Sequence, residues 1–101
     1  MVVYTTTMNK TAVKTWQKQR NIGPVMAELL AAADLTITDL KRLSVEEFFF
    51  KFWACHPHPR YAHSAYLYAL HGAKYNCDWL ALPDQEKAHY RQFIKDFKAS
   101  W

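Results

Sequence analysis

The sequence predicts an all-α protein: a single small domain of four or five short helices around an aromatic core. Three observations predict this class. The 101-residue chain has room for one hydrophobic core but not for two. Half of its residues are hydrophobic and 16% are aromatic, well above the composition of a disordered chain. It has only two glycines and four prolines, which is too few for the many tight turns of a β-sandwich.

The N-terminal stretch combines an extended segment with a helix. Residues 2–7 are mostly β-branched or aromatic and favour extended structure, so they are predicted to form either a frayed tail or a single edge strand. A helix is predicted from about Lys10 to Arg20. Gly23 and Pro24 then predict a stop, with glycine after the first helix and proline starting the second.

Two short helices are predicted next. Strong helix formers fill Pro24–Ala33, and Val25 belongs to the apolar stripe of this segment. Residues 36–43 are predicted to form the other helix, with Thr36 or Thr38 as its cap. The pair could also form a helix-turn-helix that enters a DNA groove. An ordinary helical hairpin is favoured, because the usual turn glycine is missing.

A central helix is predicted to begin at Ser44, because Ser44 and Glu47 have the spacing of a capping box. The helix cannot pass Pro57. Phe50 falls off its inward stripe. The predicted core consists of side chains from this helix and the last one: Phe48, Phe49, Phe52, Trp53, Phe93, Ile94 and Phe97.

The C-terminal third is predicted to contain two helices. The first runs from Tyr61 to His71 and is expected to stop at Gly72. Residues 74–82 are left unassigned. Pro83 opens the last helix, with acidic residues close to the positive end of the helix dipole.

Positive charge is concentrated at the N-terminus. Residues 1–20 hold four basic side chains and no acidic one, so their charge equals the formal +4 of the whole chain. We therefore divide the chain into a basic N-terminal arm or first helix, residues 1–20, and a helical domain, residues 21–101, that is expected to fold as one unit. A field of one sign that nothing nearby neutralises favours a polyanionic partner.

Two interpretations of this segment have equal support. The candidate phosphate ligands are Lys10, Lys14, Lys18 and Arg20. In one interpretation they bind the backbone of a nucleic acid and Trp16 stacks on a base. In the other they form a solvated helix face and Trp16 is docked in the core. A weaker second set of nucleic-acid-binding candidates lies on the last helix: Lys87, Arg91, Lys95 and Lys98.

The sequence therefore predicts a small non-enzymatic nucleic-acid-binding or regulatory protein. The alternative is a protein-interaction module, an inhibitor or adaptor of the kind that mobile elements encode, which uses exposed aromatic residues. The candidate interaction residues are Phe50, Tyr61, Tyr68 and Trp101. Nucleic acid and protein are thus both open as partners, and the oligomeric state is left open.

Other functional classes have little support. Two glycines cannot build a Gly-rich phosphate loop, and no catalytic motif is present. Four residues could supply zinc ligands, namely Cys55, His58, His71 and Cys77, but their spacing matches no zinc module, so no metal and no cofactor are expected. The two thiols are expected to be free and buried. No run approaches the ~18 apolar residues of a membrane span, so a cytoplasmic protein without a membrane partner is predicted.

Overall fold

Six α-helices follow one another in the computed structural model, which describes residues 10–100 of the chain. They are α1 (Lys10–Gln17), α2 (Pro24–Ala32), α3 (Ile37–Arg42), α4 (Val45–Cys55), α5 (Ser64–Tyr75) and α6 (Asp84–Ala99). Two 3₁₀ helices, Pro59–Tyr61 and Trp79–Ala81, precede α5 and α6. The predicted all-α class is confirmed, with no strand within these residues. The extended segment predicted for residues 2–7 lies outside the described residues.

Local hydrogen bonds set two of the helix starts. Thr36 caps α3: its hydroxyl accepts the Asp39 N–H at 3.2 Å, and Asp39 Oδ2 accepts the Thr36 N–H at 2.9 Å. Ser44 and Glu47 form the same reciprocal pair at α4, at 3.1 and 3.2 Å, so the predicted capping box is confirmed. The hydrogen bonds from Thr36 lower the pKa of Asp39, because they favour its ionised form.

The core is built around α4. Phe48, Phe49 and Phe52 are fully buried, and Ile94 of α6 is buried with them. The other predicted core rings, Trp53, Phe93 and Phe97, are half-buried and pack against this cluster. Val25, which was expected to lie on the buried stripe of α2, is instead 71% exposed. In its place the α2 residues Met26, Ala27 and Leu30 are buried.

Helices α4 and α6 run parallel to each other. Contacts between them advance in the same direction along both: Glu46 pairs with His89, Phe50 contacts Phe93, and Trp53 contacts Phe97. Helix α5 lies between them in sequence and packs against both. The last helix therefore covers the aromatic side of the central one.

The turn between α1 and α2 differs from the prediction. Helix α1 ends at Gln17, three residues before the predicted end at Arg20. Asn21, not Gly23, takes the left-handed conformation, with φ of 71°. Asn tolerates this region because its short side chain can hydrogen-bond locally. Gly23 is the N-cap of α2, and Pro24 starts that helix as predicted.

Gly72 does not stop a helix. Helix α5 continues through it to Tyr75 and ends where Asn76 turns left-handed, with φ of 54°. A Cβ atom at Gly72 would collide with the Asn21 side chain and lie 2.5 Å from the Cys77 carbonyl oxygen. The glycine is therefore required for close packing inside the helix, which sequence spacing could not indicate.

Candidate nucleic-acid interface

We call residues 10–25, which comprise α1, the turn and the start of α2, the basic hairpin. Trp16 anchors it to the core: the side chain is 1% exposed, its ring centre lies 5.9 Å from that of Phe48, and Nε1 donates to the Leu35 carbonyl at 2.8 Å. This placement corrects the expectation that Trp16 is available to stack on a base. Moving this indole out of the core would expose its apolar ring to water and break the hydrogen bond of its N–H group.

The four cationic side chains of the basic hairpin all face solvent. Lys10, Lys14, Lys18 and Arg20 are exposed, and none forms an ion pair within residues 10–100. The ion pairs of that part of the chain are Arg42 with Asp39 and His89 with Glu46, both elsewhere. Residues 10–25 also contain no acidic residue, so no carboxylate of the basic hairpin competes with a phosphate for these cations.

The start of α2 adds to the positive character of the turn. Its N-cap, Gly23, supplies no side-chain hydrogen bond, and the space beside its Cα is open. Unsatisfied amides at a helix N-terminus carry partial positive charge. Lys18 and Arg20 lie in the turn that leads to this end, so the dipole and the two side chains have the same sign.

The basic residues of α6 fall into two groups. Lys95 and Lys98 are exposed. Lys87 is half-buried, and its Nζ donates to the Leu80 carbonyl at 3.1 Å, while Arg91 Nη1 donates to the Tyr68 phenol oxygen at 3.3 Å. The stripe that the sequence predicted as one surface is therefore divided, because Arg91 is oriented by Tyr68 of α5 and Lys87 by Leu80, in the segment between α5 and α6.

That segment also contacts the basic hairpin, through Asn21. The Asn21 side chain donates from Nδ2 to the Cys77 carbonyl at 2.9 Å and accepts the Trp79 N–H on Oδ1 at 3.3 Å. Residues 77–81 therefore contact both the turn of the basic hairpin, through Asn21, and Lys87, through the Leu80 carbonyl. Asn21 and Trp79 were not predicted as site residues, because their hydrogen-bond partners lie more than 50 positions away in the chain.

The four predicted interaction residues differ in accessibility. Phe50 is 48% exposed and rests on Phe93 and Phe97, with ring centres 5.4 and 5.8 Å away. Tyr61 is half-buried. Tyr68 is only 8% exposed and its hydroxyl donates to the Lys87 carbonyl, which corrects its assignment as an exposed ring. Trp101 lies outside the described residues.

The cysteines and histidines are dispersed. Within residues 10–100 no three His, Cys, Asp or Glu side chains are grouped to hold a metal ion. Both thiols are unpaired, but Cys55 is exposed rather than buried as expected. His71 Nδ1 lies 2.7 Å from the Tyr90 hydroxyl, and burial lowers the pKa of His71 and raises that of Tyr90. The absence of zinc from the protein stays a prediction.

Together, the fold and this surface define a small all-α domain that presents an unpaired basic hairpin. The chain belongs to the TfoX C-terminal domain family, whose model matches residues 12–94. The family is associated with the regulation of competence and DNA uptake, which fits a regulatory or nucleic-acid-related role. Comparison with curated proteins and with solved structures finds no match. None of the helices in the described part of the chain has the length and apolar character needed to cross a membrane.

Proposed function

We propose that the protein is a small, non-enzymatic, regulatory nucleic-acid-binding protein and that the basic hairpin is its binding surface. The observation that carries this proposal is a set of four exposed cations in a segment, residues 10–25, that contains no acidic residue: Lys10, Lys14, Lys18 and Arg20. The family's association with DNA uptake supports the same class of function. The proposal places the protein in the cytoplasm, where its nucleic-acid partners are found.

Binding follows from counterion release. Each lysine or arginine that contacts a phosphate frees condensed cations from the nucleic acid, so affinity falls as salt rises. Trp16 supports this surface from below, because its burial holds α1 against the core. Phosphate contacts position a protein without selecting a sequence.

A charge variant tests the proposal. Replacing the four cations of the basic hairpin by glutamine should lower the affinity for DNA and reduce the slope of log K against log salt by about three to four. The matched control changes four exposed basic residues outside both candidate sets to glutamine: Lys41, Arg42, Lys51 and Arg60. Both variants lose the same formal charge, so a larger effect of the hairpin variant identifies the surface.

Two results would contradict the proposal. If both variants lose the same affinity and slope, binding depends on net charge and the basic hairpin has no special part. If the wild-type protein does not bind DNA or RNA at low salt, the function itself is wrong. Far-UV circular dichroism of each variant checks that the helices are intact.

A second candidate function is protein interaction through the aromatic face of α4 and α6. The observation that favours it is Phe50, a large ring that is 48% exposed on top of Phe93 and Phe97. Exposed aromatic side chains are enriched at binding hot spots. Light scattering over a concentration series tests self-association by this face. A dimer that Phe50→Ser converts to a monomer would support self-association, and a monomeric wild type would contradict self-association.

A further inference from the structure

Trp79 presents an accessible indole between α5 and α6. Its ring lies nearly parallel to that of Tyr68, with an interplanar angle of 20° and 6.3 Å between centres, yet it keeps 37% of its surface exposed. Tyr68 is buried and its hydroxyl is hydrogen-bonded, so it is a fixed support for the indole. A ring that is supported on one side and open to solvent can serve as a stacking platform.

Three basic residues are connected to this segment, one along the chain and two by hydrogen bonds. Arg20 directly precedes Asn21, whose side chain accepts the Trp79 N–H at 3.3 Å. Lys87 donates to the carbonyl of Leu80, the residue after Trp79, and Arg91 donates to the hydroxyl of Tyr68, whose ring stacks on the indole. Each of these contacts uses one donor, whereas an ammonium has three N–H groups and a guanidinium has five, so both side chains retain donors for a phosphate.

The residue before Trp79 is acidic. Asp78 is exposed, but its Oδ1 accepts the Leu80 N–H at 2.9 Å and so caps the 3₁₀ helix that carries Trp79. Its structural role explains a carboxylate at this position.

We infer that Trp79 and the basic residues beside it form a binding surface for single-stranded nucleic acid. An unpaired base stacks on the indole, and phosphates on either side of that base contact Arg20 and the pair formed by Lys87 and Arg91. In a duplex both faces of each base are covered by its neighbours, so a stacking platform favours unpaired bases. The inference rests on the proposed function and deepens it, since it names the form of the nucleic acid and a further binding residue.

The test uses an oligo-dT strand, an oligo-U strand of the same length and a DNA duplex of that length, with binding followed by fluorescence anisotropy at low salt. Wild-type protein should bind at least one of the single strands more tightly than the duplex. Trp79→Leu keeps an apolar side chain against Tyr68 but removes the ring, and should weaken single-strand binding roughly 5- to 100-fold without changing duplex binding. Trp79→Phe should retain most of the affinity, and Leu80→Ala, which removes an exposed apolar neighbour without a ring, should retain all of it.

A second measurement holds even if Trp79→Leu fails to fold. Base stacking quenches indole emission, so the better-bound strand should quench the wild-type fluorescence and should quench Trp79→Phe clearly less. Equal quenching in both proteins would overturn the inference.

The outcomes distinguish a failure of this inference from a failure of the proposed function. If the duplex binds as tightly as both single strands, or if Trp79→Leu binds them like the wild type, the inference is wrong. The proposed function then still stands provided that the hairpin charge variant loses affinity. If the wild type binds none of the three probes, the proposed function is wrong and the inference fails with it.

Discussion

The basic hairpin and the surface formed by α4 and α6 are both made of amphipathic helices, but they differ in the charged and aromatic groups that they expose. In the basic hairpin the aromatic side chain, Trp16, is buried and the cations have no ion-pair partners within the described residues. On α4 and α6 the aromatic ring of Phe50 is exposed, while His89 and Glu46 pair with each other at 2.6 Å. The basic hairpin therefore presents cations with no acidic residue among them, whereas α4 and α6 present an aromatic ring among charges of both signs, so the two surfaces suit different ligands.

Removing a core ring of α4 should have the largest effect on stability. Phe52 is fully buried, so Phe52→Ala should lower the free energy of unfolding by about 3–5 kcal/mol. Phe50→Ala is the matched control on the same helix and should cost clearly less, because nearly half of that side chain is already in water. Urea denaturation of both variants measures the difference. Equal losses of stability in the two variants would show that the Phe50 ring is internal. The α4 and α6 surface would then expose no aromatic ring to contrast with the cations of the basic hairpin.

Adding a methyl group at Gly72 should have an intermediate effect on stability. Gly72→Ala forces a methyl group against the Asn21 side chain and the Cys77 carbonyl, which should cost about 1–3 kcal/mol. Gly23→Ala is the control, since the space beside Gly23 is open. At Gly23 two effects oppose each other: glycine is the better N-cap residue, but alanine lowers the conformational entropy of the unfolded chain. The free energy of unfolding should therefore change by less than about 1 kcal/mol.

Thermal denaturation compares the two glycine variants. A stability loss in Gly72→Ala that is no larger than in Gly23→Ala would mean that the basic hairpin is not tightly packed against α5. Affinity for DNA should also fall in Gly72→Ala, because the turn that carries Arg20 must shift.

The smallest expected effect is a dependence of stability on pH at the contact between α5 and α6. Burial lowers the pKa of His71 in the folded protein below the ordinary histidine value of 6.5, so the unfolded chain binds the proton more readily. The contribution of the neutral imidazole is therefore complete above about pH 6.5 and is lost as the pH falls below that value toward the folded pKa. His71→Gln should show a smaller decrease in melting temperature between pH 7 and pH 5 than the wild type. An equal decrease would assign the acid sensitivity to other groups.

Local chemistry carried most of the sequence-based prediction. The capping box at Ser44, the helix start at Pro24 and the off-stripe position of Phe50 all depend on residues within one or two helical turns of each other. Such signals need no knowledge of tertiary contacts. The α4 core was predictable for the same reason, because its buried rings recur at helical spacing.

The errors have a common physical cause. A glycine after a helical stretch is typical of a helix stop. Gly72 is instead packed against the Asn21 side chain, which lies 51 positions earlier and could not be inferred from local sequence. Trp16 on a basic helix resembles a stacking residue until Leu35 and Phe48 are known to enclose it. The site around Trp79 was not predicted, because its contacts with distant residues depend on the tertiary fold. Helix propensity and hydrophobic periodicity report only on residues that are close in sequence.

The parallel arrangement of α4 and α6 has a consequence for how the chain acquires its structure. A polypeptide leaves the ribosome N-terminal end first, so α4 is complete while the helix that shields its phenylalanines is still unsynthesised. Phe49 meets Phe93 and Phe97 only after α5 has carried the chain back along the domain. The basic hairpin is made before α4, but Trp16 meets Phe48 only once α4 is made, and Asn21 meets Cys77 later still. Until α6 is made, the aromatic face of the nascent chain is uncovered, and in that interval aggregation and chaperone capture compete with folding.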